Sequence, residues 1–558
     1  MQNSGEDIVR RFEKLDAEKG TYKTHIQEIA EYMIPVKATV TTQGTLGAKR
    51  SFRIFDGTAT KALRIFANGL YGHMTSPGAP WFELTTKDKA LARMPAVKAW
   101  LRDTSQRMRD AMNSSNFGMA IHEVYTDLGW AGTGNIYVME GTRRPLNFVT
   151  FNIGRICLDE NAEGVVDAVY RLEPYTVRQI IQTWGKRASK KIQDQATKNP
   201  DEKHDVIHAV FPRQDVELFY DKRSKIRRLK WGRENMPIAS VYVERESKNV
   251  LEVGGYLEMP YMTPRWLRDS EEVYGRSPGM DALADVKMLN EMSKTDIKAM
   301  QKIADPPLLV PDEMRLAPLR LTPGGLNYYK PGPGEGPRPL YVPDRIQVNL
   351  EYENQRRQAI NDCFFVDLFT LLASRDKNMT ATEVLELAEE KLALLGPALG
   401  RLQVELYDPL LSRVFWILYR AGYLAPVPEE LRDQGIEVDY ISKLAMAMRA
   451  FETKAAQGAL MFTGSVVQAT QDPSAWDVYD MDKITRGVAE RYGTPQEWLR
   501  PESEVRKIRE ERQAAQEKAQ QEQGMRDLAA AVPVEKKVEE GSILDQIIQG
   551  GQASAGAQ

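Results

Sequence analysis

Five histidines, two cysteines and a few carboxylate clusters are the residues with which this chain could do chemistry. His204 and His208 lie four apart beside Asp201 and Asp205, a spacing that could hold a metal if they shared a helix face. The flanking sequence is polar and then β-like, and it supplies no third ligand, which favours exposed loop histidines. Glu383, Glu386, Glu389 and Glu390 crowd a helix start, where acids suit the macrodipole. A di-iron site would need Glu-x-x-His pairs, and the sequence has none there. Gly129-Trp-Ala-Gly132-Thr-Gly134 has the spacing of a tight turn before a strand rather than of a phosphate loop. No Walker A loop, Gly-x-Ser-x-Gly elbow, His-Glu-x-x-His or Rossmann fingerprint occurs. The sequence therefore predicts no enzyme, no cofactor and no metal site. The break Arg375-Asp-Lys377-Asn378 is different in kind, because it sets two cations in a short polar loop between two long helical stretches. By itself it reads as a solvated turn.

The chain has 558 residues, with 75 Lys+Arg against 78 Asp+Glu and a formal net charge of -3. That balance excludes a strongly basic nucleic-acid binder, and 42% apolar residues exclude a disordered chain. At about 150 residues per domain the length would fill three or four domains. Cys157 and Cys363 are too few for a disulfide framework or a cysteine zinc site. Met1 to Arg11 is polar and charged, which predicts no signal peptide. No run of 18 apolar residues occurs, and the most apolar stretch, Val414 to Leu424, is too short to span a bilayer.

The elements that would position these residues make an α+β, mainly helical chain. Ile8, Phe12, Leu15, Ile26, Ile29 and Met33 predict a helical stretch over 6–34, ended by Pro35. Further helices are predicted at 56–72, 95–112 and 118–130. From Asn135 to Pro260 short β-rich runs alternate with turns, interrupted by one helix at 176–184. Ser277-Pro278 is a helix start, with a side-chain oxygen at the N-cap and proline at N1. The helix it opens runs to Ala304, with Val286, Leu289, Met292, Met300 and Ile303 on its apolar face. Residues 305–343 hold ten of the 30 prolines and five glycines, so they are extended chain and turns. A second long helix is predicted over 346–372. Thr380 with Glu383 forms a capping box, Gly396-Pro397 should kink the helix it opens, and the pattern resumes to Gly422. Residues 440–500 read as short helices, the last opened by Thr494-Pro495. Glu502 to Arg526 is either a solvated helix or disordered.

This order resembles the portal, or head-to-tail connector, proteins of short-tailed bacteriophages. The stretches that carry the resemblance are Ala67-Asn-Gly-Leu-Tyr-Gly-His-Met-Thr-Ser-Pro-Gly-Ala-Pro-Trp81-Phe-Glu-Leu and Asn116-Phe-Gly-Met-Ala-Ile-His-Glu-Val-Tyr-Thr-Asp-Leu-Gly. More specific are Asn378-Met-Thr-Ala-Thr-Glu-Val, Leu394-Leu-Gly-Pro-Ala-Leu-Gly-Arg-Leu-Gln and Leu406-Tyr-Asp-Pro-Leu-Leu. The resemblance covers residues 5–500 and implies a ring of twelve subunits at one capsid vertex. It implies a wing from 1–277, stem helices at 278–304 and 346–372, and a clip at 305–345. A tunnel loop at 373–379 would face DNA through Arg375, Lys377 and Asn378. The kinked helix 380–430 would belong to the wing, 431–500 to a crown, and 501–558 to a charged helical or flexible tail that could form a barrel. Lys287, Lys294, Lys298 and Lys302 are the candidates for facing the channel. The implied partners are genomic double-stranded DNA, the terminase large subunit, major capsid and scaffolding proteins, and a tail adaptor, with no membrane. The implied location is the virion vertex, after synthesis in the host cytoplasm.

Two other classes compete with this reading. A tail adaptor or virion scaffold would share the helical stalk without enclosing DNA. A nuclease would need clustered acids or a metal site that the sequence does not place. Near-neutrality favours a channel, since each phosphate contact tightens the grip with a salt slope of about -0.9. Twelve copies at -3 each carry -36, so DNA contacts must be few and local.

Overall fold

The computed structural model describes residues 5–41, 47, 53–88, 91, 94–214, 218–221, 226–229, 232–311, 320, 322, 323, 325–329, 338, 339, 346–373, 394–431, 435–441, 458–491, 500 and 502–530. The chain divides into two units, residues 1–455 and 456–558.

The first unit opens with a correction. The helical stretch expected over 6–34 is two helices, Gly5–Glu18 and Gly20–Met33. Lys19 stands at the break and is 2% exposed. Its ammonium donates to the carbonyls of Ile153 and Ile156 and lies 4.9 Å from the Tyr274 ring centroid. Burial pulls its pKa down to about 8. The break sends the two halves into different cores. Ile8, Val9, Phe12 and Leu15 cover a β-sheet, whereas Ile26, Ile29 and Met33 join a helical core.

That helical core gathers Thr58–Met74, Pro95–Asn113 and Phe117–Ala131, close to the predicted spans. The last of these ends at Gly132, whose φ of 76° is left-handed. A Cβ on Gly132 would stand 2.3 Å from the Gly275 carbonyl oxygen, and one on Gly275 would stand 2.2 Å from that of Gly132. Two backbones cross there at a separation that only glycine permits.

The β-rich stretch forms a five-stranded antiparallel sheet. Val250–Tyr256, Ile238–Glu244, Lys203–Pro212, Val166–Thr176 and Ile156–Glu160 lie side by side in that order. One face packs under Gly5–Glu18. Part of the other packs under Val177–Trp184, the one helix expected here, and under a second short helix, Lys190–Gln195. Tyr261–Met262, Ile136–Glu140 and Leu146–Val149 form a second, three-stranded sheet.

The helix predicted from Ser277-Pro278 spans Pro278–Ala304. The buried Ser277 hydroxyl accepts from the Met280 amide at 2.9 Å and donates to the Trp130 carbonyl at 2.9 Å. One side chain thus caps this helix and anchors it to Phe117–Ala131. Its apolar face is only half as expected: Val286 and Leu289 are buried, but Met300 and Ile303 are exposed. It packs against Ile346–Cys363.

The second long helix is not continuous to 372. Phe365 takes a left-handed φ of 55°, and a separate helix, Val366–Ala373, follows. The turn lets Phe364 and Phe369 both meet the Phe66 ring edge-on at 6.2 Å. Aromatic packing in a buried site offsets the cost of a bulky residue at positive φ. Between the long helices, Leu308–Pro311 pairs in parallel with Leu326–Tyr329 and antiparallel with Arg338–Pro339.

The helix over 394–402 passes through Gly396 and Pro397, and the chain before it, on which the expected kink would turn, lies outside the described residues. A π-helical turn, Gln403–Tyr407, follows ahead of Asp408–Arg420. Pro409 lacks an N–H for the Glu405 carbonyl, which favours loosening one turn upstream. Ile436–Tyr440 then pairs with Phe82–Thr86. The capping box at Thr380 and Glu383 and the start at Thr494-Pro495 lie outside the described residues.

The second unit has a helix over 458–470, a 3-10 turn at Pro473–Val478 and the helices Met481–Arg491 and Glu502–Ala530. The 502–530 stretch is thus a solvated helix, exposed along most of its described side chains, with Arg509 bonded to Asp482 at 2.7 Å. Among the described residues, no helix is long and apolar enough to cross a membrane.

Ser277→Ala should lower stability by about 1–2 kcal/mol, because it removes a cap and orphans a buried carbonyl. Denaturant unfolding of the two proteins checks this, and an unchanged midpoint contradicts it.

Candidate functional site

The candidate site residues fall on the Pro278–Ala304 helix and on the stretch 375–378. Arg375, Lys377 and Asn378 lie outside the described residues, as do Glu383, Glu386, Glu389 and Glu390. The four lysines of the long helix are described, and they divide into two pairs. Lys287 donates to Glu28 at 2.7 Å, and Lys294 donates to Glu291 at 2.9 Å and stands 5.7 Å from the Phe55 ring centroid. Lys298 and Lys302, nearer the helix end, have no ion-pair partner among the described residues. The sequence put all four in one class, whereas only Lys287 and Lys294 have an ion-pair partner among the described residues.

The contact between the long helices is polar where a core would be apolar. The Ser293 hydroxyl donates to Glu353 at 2.9 Å, and Arg357 donates to Glu353 at 2.7 Å and to Asp56 at 3.1 Å. Arg356 donates to Asp285 at 2.8 Å. The buried Asn290 carbonyl oxygen accepts from the Phe55 amide at 2.8 Å, and its amide donates to the Val286 carbonyl at 2.9 Å. The partners fix the relative setting of the pair, since an unmatched polar group in that position would carry its full desolvation cost. Beyond this zone Ile297, Met300 and Ile303 follow the buried face but are 42%, 49% and 46% exposed.

The two histidines considered as metal ligands are neither helical nor exposed. His204 and His208 lie on the strand Lys203–Pro212, at 7% and 1% exposure, because a strand's period of two puts i and i+4 on one buried face. His204 bonds Gln195 at 2.9 Å. His208 lies between Tyr261 and Ser240 hydroxyls, each at 3.0 Å, and stacks on Tyr242 with centroids 4.1 Å apart. Burial, and then the nearby Arg171 charge, push its pKa well below the ordinary 6.5. Among the described residues, no three His, Cys, Asp or Glu stand close enough to hold a metal.

One cluster escaped the sequence reading. Arg265, 2% exposed, bonds the carboxylates of Glu160 and Glu405, the latter at 2.7 Å, and its amide also donates to Glu405 at 2.9 Å. Arg268 donates to Glu160 at 2.8 Å and Arg401 to Glu405 at 3.0 Å. The members are up to 245 positions apart in sequence, and no local motif marks them.

The two long glycine-rich motifs meet at a surface cavity lined by Tyr71, Thr75 and Pro77 from one and Asn116, Met119 and His122 from the other. The family described as bacteriophage head to tail connecting protein matches residues 6–499. The chain belongs to that family. A probable portal protein of Bordetella phage BPP-1 is 32% identical over 527 residues, covering 92% of each chain. A portal protein of Salmonella phage epsilon15 is 31% identical over 534 residues, covering 94% of each. A chain from the virion of a native gene transfer agent particle aligns over 77% of this chain and 95% of its own, with 12% identity and a TM-score of 0.32, too slight a likeness to bear on the fold. The connector family match spans both long helices, the five-stranded sheet and most of the second unit's shorter helices, and stops before Glu502–Ala530.

A histidine whose pKa is lowered on folding costs stability on the acid side. Its contribution is whole above 6.5 and is lost as pH falls below that value, by up to about 1.4 kcal/mol per pH unit. His208→Gln should flatten the decline measured by denaturant unfolding between pH 7 and 5, and equal slopes in the two proteins contradict this.

Proposed function

We propose that this chain is one subunit of a phage portal, a ring of twelve copies at one capsid vertex, through which double-stranded genomic DNA is packaged and ejected. Residues 278–304 and 346–372 form the stem, 305–345 the clip, 1–277 and 380–430 the wing, 431–500 the crown, and 501–558 a charged helical or flexible tail. The ring docks the terminase large subunit and later the tail adaptor, and sits among capsid and scaffolding proteins.

The observation that carries this reading is the long helix. Its apolar stripe continues through Ile297, Met300 and Ile303, which are exposed. Met288 and, on the partner helix, Leu350 and Tyr352 are exposed as well. A helix so arranged is stabilised by a neighbouring copy. Lys298 and Lys302, with no ion-pair partner among the described residues, suit the channel side, while Lys287 and Lys294 serve contacts within the subunit. Arg375, Lys377 and Asn378 make the tunnel-loop contact, a small ring of cations that touches phosphates without holding them.

Arg375→Ala with Lys377→Ala should leave ring assembly intact and reduce packaged genome length or retention. Normal genome filling and titre in that double variant contradict the tunnel-loop assignment.

A further inference from the structure

Residues 178–203 carry seven Lys and Arg against three Asp and Glu. Val177, Ile180, Trp184, Ala188 and Ile192 turn inward onto Val206 and Leu251 of the sheet. The charges turn outward, so that Arg178, Lys186, Arg187, Lys190, Lys198 and Lys203 are all exposed. Only Lys191 of the seven is paired, with Glu246 at 2.7 Å; the other six have no ion-pair partner among the described residues. Of the three acids, Glu202 is engaged by Gln195 at 3.2 Å and His204 at 3.8 Å, while Asp194 and Asp201 are exposed.

The segment's backbone is fixed. Gln193 donates to the carbonyls of Ala188 at 2.6 Å and Lys186 at 3.1 Å. Asn249 donates to the Arg187 carbonyl at 2.7 Å, and the Ser189 amide donates to Glu244 at 2.9 Å. The Arg178 amide donates to the Pro200 carbonyl at 3.0 Å, which brings Arg178 beside the turn carrying Lys198. Lys186, Arg187 and Lys190 therefore project from a rigid loop. Like charges held together repel within the ~8 Å Debye length of physiological salt, and an anion relieves this.

The composition selects the anion. Among the described residues, no large apolar side chain is exposed between Val165 and Leu257. A protein partner would need an apolar or aromatic anchor there. A phosphate backbone needs only cations on a fixed scaffold. We propose that loop 185–190, with Arg178, Lys198 and Lys203 around it, is a sequence-independent contact for duplex DNA outside the channel. This rests on the reading of the ring as a handler of double-stranded DNA.

The test uses the assembled full-length protein and covalently closed circular DNA, which cannot thread a ring, with binding measured over a salt series. Lys186→Ala with Arg187→Ala and Lys190→Ala should weaken binding at least roughly tenfold at low salt and lower the slope of log K against log salt by about 2–3, at about 0.9 per contact. Lys186→Arg with Lys190→Arg should retain the wild-type slope. An unchanged affinity and slope in the triple variant overturn the proposal. So does wild-type binding to polyglutamate at least as tight as to the DNA, since that marks an acidic protein as the partner. Electron microscopy of the same samples separates the two levels: a particle that is not a ring fails the portal reading, whereas a ring indifferent to the substitutions fails only this site.

Discussion

Arg265 is the joint on which the first unit depends. It is a buried guanidinium that bonds Glu160 at the end of a sheet strand and Glu405 in the π-helical turn. It also donates to the carbonyls of Val273 at 3.2 Å and Gly164 at 3.1 Å. Sheet, connecting loop and C-terminal helices thereby share one charge centre. Loss of one partner from such a buried group leaves an uncompensated charge, at a cost of about 3–5 kcal/mol. The Gly132 and Gly275 crossing lies in the same connection, because Gly275 packs against the Arg265 Cβ position. Close backbone approach and a saturated guanidinium together set where the Pro278–Ala304 helix begins.

From that start the long helix changes character along its length. Near Ser277 it is apolar and tied to the helical core through Val286 and Leu289. In the middle it is polar, with Asn290 and Ser293 matched to Phe55 and Glu353. Towards Ala304 it is apolar again and uncovered. A helix serving only its own subunit would keep its apolar stripe where its own chain covers it. A helix that serves a ring would show this gradient, from intramolecular core to matched polar register to open stripe. The exposed Met461 and Phe462 of the second unit's 458–470 helix are uncovered in the same sense.

The sequence made local features legible. The Ser277-Pro278 start, the turn at Gly132 ahead of a strand and the α+β order all follow from local chemistry and agree with the structure. Features decided by distant partners were hidden. The break at Lys19 depends on carbonyls more than 130 residues away. The left-handed Phe365 depends on Phe66, and the π-helical turn at 403–407 accompanies Arg265 and Pro409. The histidine pair was misread because its burial depends on strand period and on Tyr242 and Tyr261 across the sheets. The resemblance supplied what spacing could not: two of its stretches, far apart in sequence, meet at one surface cavity.

The central claim is that the open stripe of the long helix is covered by a second copy of the chain around a channel. Electron cryomicroscopy of the purified full-length protein measures this directly. The account predicts a closed ring with an open axial channel in which Ile297, Met300 and Ile303 are buried against the next subunit. A monomeric or solid particle, or a ring in which those three side chains face water, would contradict it.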